Sequence, residues 1–336
     1  MKSLLRILLR NLSLAFALIL VVGLSACGKQ ESGPAPQAAT SGEGAHKKPR
    51  FAFVTNNVSA FWTIAKKGTD KAAKELEVEV EFRPPATGAI AEQQSIIEDL
   101  LNTGIDGITV SPIDPANQTG FLDKVAEKVP LLCHDSDAPR SKRIAYVGTN
   151  NYQAGREAGK LLKEALPQGG KIMLFVGTLD AQNAQDRKKG IEDEIQGTAI
   201  QVIDTRTDQV DTVKARSNAE DAMLTYPDLA CLVGLWSYNG PQLAAAVKGA
   251  GKTGSISIVC FDEDAETLQG VVDGVIYATV VQRPFEMGYQ SIKLLAEIAK
   301  GNKAAIPESG TIDTGVVQVR KDNVQEFWED LKKLTR

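Results

Sequence analysis

A chain of 336 residues with 43% hydrophobic and 24% charged side chains has room for one large or two ordinary globular domains. The formal net charge of −4 leaves no basic surplus, so nucleic acid is not expected as a partner.

The first 26 residues predict the signal peptide of a bacterial lipoprotein. Three basic residues precede an apolar run, Leu12 to Val22, which is shorter than the roughly 20 apolar residues that a membrane-spanning helix needs. This run leads into LSAC, residues 24–27, which resembles a lipobox, where small residues precede a cysteine that receives lipid. We therefore expect lipidation at Cys27. The alternative is an ordinary export signal followed by a chance cysteine.

Residues 27–49 predict a disordered tether. After Cys27 the segment is rich in Gly, Ser, Ala and Pro and contains no large apolar side chain, so it cannot bury enough surface to fold. We expect the protein in the periplasm or at the cell surface, contacting a membrane only through its lipid. The sequence leaves open whether that membrane is an inner, outer or single one.

Three further cysteines, Cys133, Cys231 and Cys260, each end an apolar, strand-like run, and none has a CxxC partner. Their odd number argues against a disulfide framework, so they are expected as buried free thiols. The chain has only two histidines, His46 and His134, which cannot build a zinc site with such partners. Neither a metal nor a cofactor is expected.

From Phe51 onward, short apolar runs alternate with amphipathic segments. Strict alternation of strand and helix predicts parallel sheets that are covered on both faces. Ten predicted strands exceed a usual single sheet, so the fold class is α/β with two doubly wound parallel-sheet lobes and a break near residues 148–151. The predicted strands are 51–54, 78–82, 107–110, 131–133, 144–147, 171–176, 200–204, 230–235, 256–261 and 275–280.

Polar and aromatic side chains follow these strands at their carboxyl ends, where sheets of this kind bind ligands. Carboxylates, amides and a guanidinium complement the hydroxyls of a sugar, and aromatic rings complement its C–H faces. Each of these residues alone could be structural, since Asp and Asn are common in turns and Phe61 could belong to a core. The candidate ligand-binding residues are Asn57, Phe61, Trp62, Asp135, Arg187, Trp236, Asn239, Asp262 and Gln282.

Six stretches between Phe51 and about Gly301 resemble, in this order, a periplasmic sugar-binding protein of the ribose-binding type. They are FWTIAKKGTDKAAKEL, DLLNTGIDGITVSPIDP, AYVGTNNYQAGREAG, NAQDRKKGIED, CFDEDAETLQGVVDG and ATVVQRPFEMGYQSIKLL. The resemblance implies stacking by Phe61 and Trp62, and hydrogen bonds to hydroxyls from Asp135, Arg187, Asp262 and Gln282. Residues 236–239 also correspond to a ligand-binding region of the family, but the resemblance does not fix which of these residues matches which family position.

Two departures from the family pattern argue against assuming ribose. Ribose binders have an arginine directly after the aspartate, whereas Ser136 and Asp137 follow Asp135 here. The family's binding asparagine before the aromatic pair corresponds to Ser59, with Asn56 and Asn57 as possible substitutes.

The resemblance also implies a periplasmic binding protein-like I fold whose chain crosses between the lobes three times. The expected N-terminal lobe is 50–149 plus 283–311, and the C-terminal lobe is 150–282 plus 312–336. The expected hinges are Gly148–Asn150, Gln282–Pro284 and Ile312–Thr314, about which the lobes would close on a ligand.

The expected function is that of a monomeric, lipid-anchored receptor that captures a monosaccharide or related polyol and delivers it to an ABC importer permease. The alternative is a sensor that presents its closed form to a chemoreceptor or histidine kinase. A transcriptional repressor with this fold would need an N-terminal helix-turn-helix. The predicted export signal occupies that part of the chain, so a repressor is not expected. Catalysis by Asp135, Asp137 and Asp262 lacks an activated nucleophile, a metal-ligand set or a phosphate-binding loop, so no enzyme is expected.

Overall fold

The computed structural model describes residues 47–335. The predicted signal peptide, the predicted lipidation site Cys27 and residues 27–46 of the predicted tether lie outside the described residues. Within 47–335, the helices are too short or too polar to cross a membrane.

The elements alternate as predicted. The chain begins with β1 (Arg50–Val54), α1 (Ala60–Leu76), β2 (Glu79–Arg83), α2 (Ile90–Asn102), β3 (Gly107–Val110), α3 (Pro115–Ala126), β4 (Leu131–His134) and β5 (Ala145–Gly148). It continues with α4 (Asn151–Ala165), β6 (Gly170–Val176), α5 (Gln182–Ile195), β7 (Ile200–Thr207), α6 (Thr212–Thr225), β8 (Leu229–Gly234), α7 (Asn239–Gly249), β9 (Ser257–Phe261), α8 (Ala265–Val272) and β10 (Ala278–Val281). The last elements are α9 (Pro284–Ala299), β11 (Thr311–Asp313), β12 (Val317–Arg320) and α10 (Val324–Thr335).

Two six-stranded sheets form two lobes, which confirms the predicted fold class. The first sheet has the order β11-β5-β4-β3-β1-β2 and is parallel throughout. The second has the order β12-β10-β9-β8-β6-β7, and only its edge strand β12 runs antiparallel to its neighbour. The central strands are apolar and buried on both faces, as parallel sheets covered by helices require.

The third crossing between the lobes comes later in the chain than predicted. β11 pairs with β5, so Ile312 and Asp313 belong to the first sheet and not to the C-terminal lobe. The strand escaped prediction because its three residues, TID, contain a single apolar side chain and are too few for an alternating pattern to be recognised.

Close helix contact within the first lobe depends on two glycines. A Cβ at Gly68 of α1 would lie 1.9 Å from the carbonyl oxygen of Phe285, and one at Gly288 of α9 would lie 2.1 Å from that of Ala65. Only glycine permits so close an approach. The two glycines therefore allow α9, after the chain has returned to the first lobe, to pack directly on α1.

The two sheets have strands at equivalent positions whose carboxyl ends reach the same cavity region. β4 and β9 are both third from the same edge of their sheets, and each is followed by an aspartate, Asp135 or Asp262. Both aspartates have left-handed backbones, with φ of 57° and 72°. Such conformations cost energy in residues other than glycine and are concentrated at functional sites.

The predicted burial of the three cysteines is confirmed: Cys133, Cys231 and Cys260 are free and buried in the hydrophobic cores.

Candidate functional site

A cavity lies between the lobes at the carboxyl ends of their strands. It brings together eight of the nine predicted ligand-binding residues, which come from both lobes and from the second crossing. These are Asn57, Phe61, Trp62, Asp135, Arg187, Trp236, Asp262 and Gln282, and the remaining lining residues are Asn56, Ser59, Asn183, Ser237 and Tyr238.

Each lobe contributes an aromatic wall. Phe61 and Trp62 lie in the first turn of α1, with ring centroids 4.9 Å apart and planes at 86°. The Trp62 indole donates a 3.0 Å hydrogen bond to Oδ1 of Asn57, which fixes the ring. From the second lobe, the Trp236 indole donates to Oδ1 of Asn183 at 3.3 Å. Both indoles are therefore held in position while their faces supply apolar surface.

Asp135 joins the two lobes. Its Oδ2 accepts hydrogen bonds from Ser111 Oγ of the first lobe at 2.9 Å and from Asn183 Nδ2 of the second lobe at 3.2 Å. Burial raises the pKa of Asp135 to about 6, and the nearby Arg187 guanidinium opposes this shift. The carboxyl is thus ionised at neutral pH at an energetic cost that a hydroxyl donor would reduce.

Arg187 is 1% exposed and lines the cavity. Its Nε donates to Asn151 Oδ1 at 2.9 Å and its Nη1 donates to the carbonyl of Leu235 at 2.6 Å. The guanidinium carbon lies 4.4 Å from the ring centroid of Phe261. Its buried Nη2 has no partner among the described residues, so this nitrogen remains available to an acceptor on a ligand.

Asp262 and Gln282 form a second polar pair. Nε2 of Gln282 donates to Oδ1 of Asp262 at 2.9 Å, while Oδ2 of Asp262 lies 4.0 Å from Nη1 of Arg187. Burial raises the pKa of Asp262, and Arg187 again opposes the shift. Oε1 of Gln282 is buried without a partner within residues 47–335.

Three buried groups in this cavity therefore lack partners in the described part of the chain: Oδ1 of Asn56, Nη2 of Arg187 and Oε1 of Gln282. An unpaired buried polar group costs about 1–3 kcal/mol. Two acceptors and one donor suit a ligand whose hydroxyls both donate and accept.

The structure does not bring Asn239 to the cavity, which corrects its prediction as a ligand contact. Asn239 is fully buried; its Oδ1 accepts from the backbone N–H of Trp236 at 2.9 Å, and its Nδ2 donates to Oδ2 of Asp208 at 3.3 Å. As the first residue of α7, it folds back on the preceding loop and so positions Trp236. Tyr238, one residue earlier, lines the cavity instead.

Asp137, the extra carboxylate after Asp135, forms a two-pronged ion pair with Arg143 and is not among the cavity-lining residues. The departure from the family pattern at this position therefore removes an arginine without adding a carboxylate to the cavity wall.

Asn183 lines the cavity and was not predicted from the sequence. It lies four residues before Arg187 on α5, so both side chains share one helix face. This spacing was a usable signal, because a polar residue one turn before a predicted ligand contact points the same way.

Comparisons with known proteins agree with this geometry. A family model described as "Periplasmic binding protein domain" matches residues 51–303. The D-allose-binding periplasmic protein of Escherichia coli K12 is 26% identical over 283 residues, covering 80% of this chain and 91% of that protein.

Solved structures are also similar. An ABC transporter solute-binding protein from Burkholderia graminis C4D1M, in complex with D-arabinose, is 30% identical with a TM-score of 0.78, covering 82% of this chain and 96% of that one. GanP, a glucose-galactose binding protein from Geobacillus stearothermophilus, is 30% identical with a TM-score of 0.78, covering 82% of this chain and 99% of that one.

Proposed function

The chain belongs to the periplasmic binding protein family, and from its interlobe cavity we propose that it captures a monosaccharide or related polyol and delivers it to the permease of an ABC importer. The family and the relatives compared above are binding proteins rather than enzymes. The relatives' named ligands are sugars, and this chain carries the chemistry to hold one.

The observation that carries the proposal is the set of unpartnered buried groups between two aromatic walls. Arg187 Nη2 offers a donor, and Asn56 Oδ1 and Gln282 Oε1 offer acceptors. Two carboxylates at equivalent strand ends, Asp135 and Asp262, accept further hydrogen bonds from hydroxyls. A purely apolar ligand would leave all of these groups unpaired.

Capture would proceed by closure of the lobes about the three crossings. In the described conformation, Asp135 of the first lobe accepts from two second-lobe side chains: its carboxylate from Asn183 at 3.2 Å and its carbonyl from Asn151 Nδ2 at 3.0 Å. A ligand that contacts both walls adds bonds that exist only when the lobes are together, and so shifts the population toward the closed form.

We further propose that the protein works as a monomer outside the cytoplasm, in the periplasm or at the cell surface, anchored through lipid on Cys27. The motif LSAC at residues 24–27 and the tether composition support this placement. Metabolic labelling with a fatty-acid analogue should mark the wild type and leave Cys27→Ser unlabelled; equal labelling would contradict the anchor.

A thermal-shift screen against pentoses, hexoses and polyols tests the ligand class. A ligand at 100 times its Kd should add about 2.7 kcal/mol to the free energy of unfolding. Asp262→Asn should abolish most of the shift, whereas the matched control Asp137→Asn, which removes a carboxylate outside the cavity, should preserve it. Absence of a shift with every sugar and polyol would contradict the proposal.

A further inference from the structure

An apolar groove runs between α1 of the first lobe and α10 of the second, outside the sugar cavity. It consists of two adjoining hollows of about 400 and 430 Å³ that share Ile64, Glu263 and Leu331. The aromatic rings of Phe285, Phe327 and Trp328 and the side chain of Leu334 extend its apolar lining. The groove backs onto the sugar cavity, since Phe61 lines both.

One acidic side chain lies buried in this apolar lining. Glu263 is 4% exposed, and neither of its carboxyl oxygens has a hydrogen-bond partner among the described residues. Burial, together with the neighbouring Asp262, raises the pKa of Glu263 well above its ordinary range. A carboxyl without partners in such a place carries a desolvation penalty that a donor entering the groove would relieve.

The other charges that face the groove balance one another. Three basic side chains (Lys67, Arg283 and Lys332) and three acidic ones (Asp264, Glu286 and Asp330) line the two hollows. Once ionised, Glu263 is the one acid left without a matching base in this lining. The groove is therefore complementary to an apolar body that carries a single positive charge with several N–H donors.

We propose that this groove is a second ligand site, which takes an apolar primary amine whose ammonium group bonds to Glu263 and whose hydrocarbon body packs on Ile64, Trp328 and Leu331. An ammonium group has three donors and can satisfy both carboxyl oxygens. Burying the hydrocarbon body supplies roughly 25 cal/mol per Å² of apolar surface. Amine recognition rests on Glu263, which does not line the sugar cavity, but the groove is complete only when the lobes are closed because its two walls come from different lobes.

The test is a titration of hexylamine into the full-length protein, both without sugar and with a saturating sugar that favours the closed lobes, followed through the fluorescence of the groove residue Trp328. We expect saturable binding that is at least tenfold weaker for hexan-1-ol and for hexanoate. The absence of saturable binding, or equal binding of hexanoate, would overturn the proposal.

Variants separate the role of Glu263 from general charge. Glu263→Gln should weaken hexylamine binding at least tenfold, whereas Asp330→Asn, which removes an exposed acid from the same groove, should change it less than twofold. Leu331→Ala, a half-exposed position on α10, should weaken binding several-fold without touching the buried acid. Binding that survives Glu263→Gln and Leu331→Ala unchanged would place the amine elsewhere and refute the site. Trp328→Phe should abolish most of the fluorescence change while calorimetry still detects binding.

Discussion

Replacing Asp135 by asparagine should remove a pH-dependent loss of stability from the ligand-free protein. In the folded chain, burial raises the pKa of Asp135 from its ordinary value of 3.8 to about 6. A raised carboxyl pKa means that the folded state binds the proton more tightly than the unfolded state does. The resulting stabilisation is fully present below pH 3.8 and is lost as the pH rises through about 6.

The size of the effect follows from this shift. About two pKa units at 1.36 kcal/mol each give roughly 3 kcal/mol, of which about 2 kcal/mol falls between about pH 4.5 and about pH 7.5. The amide of the Asp135→Asn variant has no such titration, although it retains an oxygen that can accept from Ser111. The difference in unfolding free energy between wild type and Asp135→Asn should therefore change by about 2 kcal/mol over this interval, in favour of the variant at the higher pH.

Urea unfolding of both proteins at the two pH values measures this difference. The other carboxyls are the same in both proteins, so most of their contribution to the pH dependence cancels. A saturating sugar should reduce the pH dependence, because hydroxyl donors stabilise the ionised carboxylate. A difference that is the same at both pH values would refute the reasoning, since Asp135 would then not be buried between closed lobes.

Further predictions concern binding, packing and reactivity. Asp262→Ala should weaken sugar binding by about 2–3 kcal/mol, seen by calorimetry, because a hydroxyl loses its charged acceptor; an unchanged Kd would remove Asp262 from the site. Gly68→Ala should lower the free energy of unfolding by about 1–3 kcal/mol through the clash with α9. The matched control Gly120→Ala, at an exposed position of α3 with no atom near the new Cβ, should raise it by about 0.5–1 kcal/mol; equal effects would contradict the packing account. Burial raises the pKa of the thiols of Cys231 and Cys260 to about 12, so iodoacetamide should modify them only after unfolding; rapid alkylation of the native protein would show that these strands are exposed.

The fold and most of the cavity could be predicted because both follow from strand ends. A buried parallel strand leaves a plain apolar run in the sequence, and the first polar residue after it lies at the cavity edge. Asp135 after β4 and Asp262 after β9 were located in this way, and the structure gives both the same left-handed backbone.

Side-chain direction within loops could not be predicted. Asn239 and Tyr238 both follow β8 and both donate to Asp208, yet only Tyr238 also lines the cavity, and the turn into α7 decides this difference. Similarly, Asp137 lies two residues after the cavity-lining Asp135, but it pairs with Arg143 and does not line the cavity, and such a pairing depends on the path of the intervening loop.

A crystal structure with the best-binding sugar tests most directly whether polar groups from both lobes hold a hydroxylated ligand. We predict ligand oxygens within hydrogen-bond distance, about 2.7–3.2 Å, of Nη2 of Arg187 and Oε1 of Gln282, with a ring face against Trp62 or Trp236. A sugar bound outside the interlobe cavity, or one that leaves both of these atoms unpaired, would contradict the account.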